Sequence, residues 1–147
     1  MLVKLMPDQV TNYWDILSYG IQQSLPPITY DSPKRLTRIL ESIMMEEMEC
    51  WIGTKDKTIT GIIVTCEIYE KNSDVRDLLI YCLYGFDRLS PKLIKEGMHT
   101  LKEYAASKGL KRITAYSNVP SVIRLMKTFG SGEAWQYLTI PANGAVQ

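Results

Sequence analysis

The stretch DLLIYCLYGFDRLSPKLIKEGMHTLKEYAASKGLKRITAYSN, residues 77–118, constrains the fold of this chain more than any other. It opens with a run of strand length, almost continuous in apolar residues. An amphipathic segment comes next, and then a second strand-like run, LKRITAYSN. Strand, helix and strand in that order predict a right-handed crossover between parallel strands. The apolar continuity of the first run predicts a strand central in its sheet. Ser90 and Pro91 are an N-cap and a first helical residue, and the Ser90 side chain is expected to cap the first N–H groups itself. Gly109 closes the helix as a C-terminal cap. Leu93, Ile94, Gly97, Met98, Leu101 and Ala105 form its buried face.

The segments around this unit divide into short elements. LVKLM (2–6) is a short strand closed by Pro7-Asp8. From Asp8 to Ser24 the apolar residues Val10, Tyr13, Trp14, Leu17 and Ile21 recur at helical spacing, and Pro26-Pro27 stops them. In YDSPKRLTRILESIMMEEM, Ser32 is a candidate N-cap with Pro33 at the first helical position. Leu36, Ile39, Leu40, Ile43 and Met44 share its apolar face. ECWIGT and TITGIIVTCEIYE flank a hairpin turn at Lys55-Asp56-Lys57. PSVIRLMKTFG is a short helix, EAWQYLTI (133–140) a last strand, and PANGAVQ a tail. The expected fold is α/β with a mixed sheet, in the order β-α-α-β-β-β-α-β-α-β. It spans one domain, residues 1–140, followed by a tail at 141–147.

The chain has 147 residues, 46% hydrophobic and 22% charged, with a net charge of +1, which suits one globular domain with a sizeable core. That balance gives no electrostatic footing for nucleic acid or an anionic membrane. No apolar run is long enough to span a bilayer, and MLVKLMPDQV does not read as a signal peptide. Cys50, Cys66 and Cys82 are widely spaced inside apolar runs, which predicts buried, reduced thiols rather than a metal or redox site. A cytoplasmic, reducing location is expected. His99 is the only histidine and reads as a surface residue. Glu46, Glu47 and Glu49 read as a solvated acidic turn, and Glu67 or Glu70 as weak candidates for a general base. No catalytic residue and no metal site is expected.

The order of elements, and most of all LKRITAYSNVPSVIRLMKTFG (110–130), resembles the GNAT superfamily of N-acetyltransferases. The likeness covers nearly the whole chain, with Asn118, Ile123, Leu125 and Gly130 at matching places. The resemblance implies an acyl-CoA site in the loop before the long helix, where backbone N–H groups and the helix N-terminus hold a pyrophosphate. The family's glycine-rich loop falls here on Leu89-Ser90-Pro91-Lys92-Leu93-Ile94. None of these is glycine, and Pro91 has no N–H. Losing two or three hydrogen bonds to a charged group costs about 3–9 kcal/mol, on the order of two to six decades of affinity. If acyl-CoA binds, Arg88, Ser90, Lys92, Lys95 and Asn118 are the residues to hold it. The family's tyrosine, placed to protonate the leaving thiolate, is replaced by Met126, and its lysine by Thr128 with Lys127 one residue early. A thioether has no proton to give. Tyr116 and Tyr84 are the substitutes to consider.

These departures lead to the expectation of a non-catalytic GNAT-fold protein with no cofactor, acting as a component of a larger assembly. SVIRLMKTFG is also similar to the corresponding helix of small GNAT-like proteins of short-tailed phages, which implies a virion or head-assembly role. Protein partners would then dock on the last strand and the tail. The alternative is an acyl-CoA-dependent N-acetyltransferase with an atypical loop, for which acetyl-CoA is the cofactor.

Overall fold

The computed structural model describes residues 1–27, 32–130 and 133–143. The elements run β1 (Leu2–Lys4), α1 (Pro7–Asn12), α2 (Trp14–Gln23), α3 (Arg35–Met44), β2 (Met48–Lys55), β3 (Thr58–Glu70), β4 (Val75–Gly85), α4 (Pro91–Ser107), β5 (Ile113–Ala115) and α5 (Pro120–Phe129). The chain forms two compact units, Met1–Ser117 and Asn118–Gln147.

In the first unit one sheet has the order β1-β2-β3-β4-β5. β1 to β4 are antiparallel neighbours, and β4 and β5 are parallel, as the crossover predicts. β4 lies inside the sheet, and Leu78, Leu79 and Ile80 on it are buried. The β2–β3 hairpin turns on Asp56 and Lys57, both at positive φ (50° and 66°), which is the primed turn that matches strand twist.

Side chains alternate across the sheet. On one face Cys50, Ile52, Ile62, Val64 and Cys82 pack against Val10, Leu17 and Ile21 of α1 and α2 and Ile39 and Ile43 of α3. Leu17 and Ile21 are fully buried, each contributing roughly 1.5–3 kcal/mol. Gly20 permits the close approach of α2. A Cβ there would lie 2.5 Å from Ile62 Cδ1 and 3.3 Å from Phe86 Cζ. The opposite face carries α4, with Met98, Leu101 and Ala105 buried and Tyr104 edge-on to Trp51 at 5.0 Å. Gly109, at φ 70°, ends α4, and the Leu110 N–H reaches back to Ala105 O at 2.9 Å. At the start of β4 the buried Asp77 carboxylate is answered by Arg112, whose Nη2 lies 2.7 Å from Oδ2.

Three expectations are corrected. The helix expected over 8–24 is two helices, because Tyr13 (φ −107°, ψ 10°) leaves helical geometry between them. Its N–H reaches both Gln9 O and Val10 O. The third helix begins at Arg35 rather than Pro33. Ser32 opens the turn that leads into it, its Oγ accepting the Lys34 N–H at 3.4 Å and its carbonyl oxygen the Arg35 N–H at 3.1 Å. No strand forms over 133–140. The pattern supplies strand-like side chains, but those residues join no ladder among the described residues. The expected tail lies partly outside the described residues, at 144–147. No helix among the described residues is long and apolar enough to cross a membrane.

Candidate functional site

The site is built on β4. Its parallel ladder with β5 covers only Leu78, Leu79 and Ile80, opposite Ile113, Thr114 and Ala115. β4 itself runs on to Gly85, so Tyr81–Gly85 carry a strand edge that β5 does not cover. A β-bulge sits where the two strands part. Val64 pairs with Cys82 and Thr65 with Ile80, which leaves Tyr81 as an extra residue with no partner on β3. A bulge twists its strand and re-aims the residues beyond it. The fork between β4 and β5 is therefore a feature of the backbone ladder, and nothing in DLLIYCLYGF announces it.

The corner after β4 closes the open end of the fork. The Phe86 N–H extends the sheet to Thr60 O at 2.9 Å, and the Arg88 N–H goes to the Asp87 carboxylate at 2.7 Å. Ser90 caps α4 as expected, its Oγ accepting the Leu93 N–H at 3.2 Å, while the Ile94 N–H goes to Ser90 O at 3.1 Å. Among the described residues, the N–H groups of Leu89, Ser90 and Lys92 meet no protein acceptor. The corner thus keeps backbone donors on either side of Pro91, although none of its residues is glycine. Arg88, Lys92 and Lys95 are exposed on the loop and on the first turn of α4. The structure brings four of the five candidate residues to one corner: Arg88, Ser90, Lys92 and Lys95. Asn118 belongs to the second unit.

Three rings stand at the same end of β4. Tyr84 meets Phe86 edge-on at 5.2 Å and Tyr19 of α2 edge-on at 6.0 Å, and Tyr19 stacks on Phe86 at 6.5 Å. Hydrogen bonding with the Tyr19 hydroxyl, then burial and the Tyr19 charge, raise the Tyr84 phenol above its ordinary value. Tyr116, the other substitute considered, lies just past β5 and is exposed. Met126 lies half-buried on α5 in the second unit, and the Thr128 hydroxyl donates to Arg124 O at 2.9 Å.

The remaining polar candidates are occupied elsewhere. Glu70 accepts the N–H groups of Asn72 and Ser73 and the Ser73 hydroxyl, shaping the β3–β4 turn. His99 pairs with Glu103 at 3.1 Å on the surface of α4. A cavity of about 230 Å³ lies toward the C-terminal end of α4, lined in part by Lys4, Glu49, Glu67, Tyr104 and Lys108. Glu49 is fixed there by the hydroxyls of Tyr104 and Thr65. Among the described residues no cluster of three His, Cys, Asp or Glu side chains is placed to hold a metal.

No family model and no curated protein matches the chain. Solved structures do. A ribosomal-protein-alanine N-acetyltransferase from Brucella melitensis matches with a TM-score of 0.69 at 13% identity, over 96% of this chain and 99% of that one. A predicted acetyltransferase from Clostridium acetobutylicum, solved with acetyl-CoA, matches with a TM-score of 0.69 at 16% identity, over 96% and 95%. An aminoglycoside acetyltransferase from an uncultured soil sample, in complex with sisomicin, matches with a TM-score of 0.70 at 8% identity, over 99% and 96%. These neighbours are acetyltransferases, and they overturn the expectation of a non-catalytic assembly component. They lend nothing to the likeness to phage virion proteins. The chain has the mixed α/β fold of the GNAT acetyltransferases.

Proposed function

We propose that this chain is an acyl-CoA-dependent N-acyltransferase. The observation that carries the reading is the fork: β4 runs past its pairing with β5 and ends in a corner with unpaired N–H donors and three cationic side chains. A phosphate-bearing ligand fits that corner by chemistry. The N–H groups of Leu89, Ser90 and Lys92 offer directional bonds, and Arg88, Lys92 and Lys95 offer charge. The uncovered edge of Tyr81–Gly85 offers main-chain groups to an extended amide-bearing arm, as a sheet edge does to an added strand. When bound, acetyl-CoA supplies an activated acyl thioester.

The chain's own residues then have three tasks. The corner holds the phosphates, the β4 edge orients the arm, and a side chain gives a proton to the departing sulfur. Tyr84 is our assignment for the last, in place of the family's tyrosine. It sits at the end of β4, beside Tyr19, and carries a phenolic proton at neutral pH. The free thiols Cys50, Cys66 and Cys82 accord with a reducing compartment as the place of action.

Isothermal calorimetry with acetyl-CoA tests the reading directly. We expect a micromolar dissociation constant, and no heat at millimolar acetyl-CoA would end the proposal. In a thiol-release assay Tyr84→Phe is expected to lower kcat by about 10²-fold, the lower end for general acid work, while acetyl-CoA affinity holds. An unchanged kcat would remove Tyr84 from the mechanism.

A further inference from the structure

Resting on the acyltransferase reading, we infer that the rings of Tyr19, Tyr84 and Phe86 form the acceptor platform, and that the acceptor is a monoamine carried on an aromatic or apolar body. The platform stands beside the fork. Tyr84 is the next-to-last residue of β4, and Phe86 opens the corner. Tyr19 reaches the two of them from α2, held close by the contact at Gly20. Tyr19 remains 54% exposed, so a large aromatic face is presented to solvent at the mouth of the site. Ile16, one turn earlier on α2 and 36% exposed, extends the apolar strip.

Edge-to-face and offset-stacked rings with faces left open suit a planar or apolar guest and attract a single ammonium group. In this reading the cofactor's phosphates take up Arg88, Lys92 and Lys95, so the rings decide the class. An arylalkylamine presents one positive charge and a ring and uses both properties of the platform, whereas a polyamine presents charge without a ring. In the transfer, the ammonium first gives one proton to solvent. The free amine nitrogen then bonds the acyl carbon as the carbon–sulfur bond breaks, the sulfur takes a proton from Tyr84 and leaves as the thiol, and the second proton lost by the nitrogen restores the Tyr84 phenol.

Initial rates with saturating acetyl-CoA and phenethylamine, ethanolamine or spermidine as acceptor test the inference. We expect kcat/KM for phenethylamine to exceed the other two by at least about tenfold. Phe86→Leu should raise KM for phenethylamine about three- to tenfold with KM for acetyl-CoA unchanged, matching the worth of one ring contact. Equal rates across the three amines, or an unmoved KM in Phe86→Leu, would overturn the platform. If acetyl-CoA binds by calorimetry and no amine is acetylated, the acceptor inference is overturned; if acetyl-CoA does not bind, the acyltransferase reading fails, and the platform is then read by NMR titration of phenethylamine alone. Shifts at Tyr19 that vanish in Phe86→Leu support it, and their absence in the unaltered protein removes it.

Discussion

Ser90 Oγ accepts the Leu93 N–H at 3.2 Å, so one donor at the head of α4 is occupied in the free protein. A phosphate seated on this helix turn has either to displace the hydroxyl or to use the donors beside it. Replacing Ser90 by glycine costs only a few tenths of a kcal/mol as a cap and exposes the Leu93 N–H. We expect Ser90→Gly to tighten acetyl-CoA binding about three- to tenfold by calorimetry, with a fall in Tm of no more than a few degrees. Weaker binding would mean that the Ser90 hydroxyl itself contacts the phosphate.

Tyr104 joins the two sides of the sheet–helix interface. Its hydroxyl donates to Glu49 Oε1 at 3.1 Å, and the other Glu49 oxygen accepts from Thr65, which in turn accepts the Trp51 indole N–H at 3.0 Å. Burial first, then the Glu49 charge and its hydrogen bond, raise the Tyr104 phenol above its ordinary value of 10.0. Proton linkage sets the sign. Above that value the unfolded chain loses the phenolic proton while the folded chain keeps it, so stability falls as pH rises. Tyr104→Phe should lose about 1 kcal/mol at pH 7 for the missing hydrogen bond and show a flatter decline in stability above about pH 10. Urea melts across pH 7 to 11 read both effects. An alkaline limb unchanged by the substitution would place the sensitivity elsewhere.

The parts of this fold that were legible in the sequence are those whose cause is local. Ser90-Pro91 and Gly109 delimit α4 because capping and positive φ are properties of those residues themselves. Lys55-Asp56-Lys57 marks its hairpin because a short polar break separates two strand patterns. What stayed hidden depends on partners. The strand pattern over 133–140 carries no information about whether a ladder receives it. The bulge at Tyr81 arises from the register between β3 and β4, and no residue type signals it. The break at Tyr13 lacks a proline or glycine. At the corner, the family's glycine pattern falls on Leu89–Ile94, where Pro91 marks the donor that is missing. The donors that remain lie at Leu89, Ser90 and Lys92, visible only once the hydrogen bonds are traced.

The three thiols test the packing of the face beneath α1, α2 and α3. Burial, with a smaller contribution from neighbouring charge, pushes Cys50 and Cys82 up to about 12 and Cys66 up to about 11. At pH 8 the thiolate fraction is then on the order of 10⁻⁴ for the first two and 10⁻³ for Cys66. Native-state labelling with a small disulfide reagent at pH 8 should modify Cys66 about tenfold faster than the others, and all three only slowly. In denaturant all three should react together. Rapid labelling of Cys50 in the folded protein would contradict its burial.

Two exposed turns store backbone strain at side chains that gain nothing visible from it. Glu46 stands just past α3 at φ 60°, with the Glu47 N–H bonded to Ser42 O at 2.8 Å, a helix end that glycine fits best. Lys57 occupies the second central position of the β2–β3 turn at φ 66°, where Asp-Gly is the favoured pair. A left-handed conformation costs a residue with a Cβ roughly 1–2 kcal/mol, and glycine returns part of that through its greater freedom in the unfolded chain. Glu46→Gly and Lys57→Gly should each stabilise the fold by about 0.5–1 kcal/mol. The sites lie at different turns, so the double variant should approach the sum. Chemical denaturation of the three variants reads this from the midpoints at constant slope. A destabilised Lys57→Gly would show that its side chain holds the hairpin in a way the backbone geometry does not reveal.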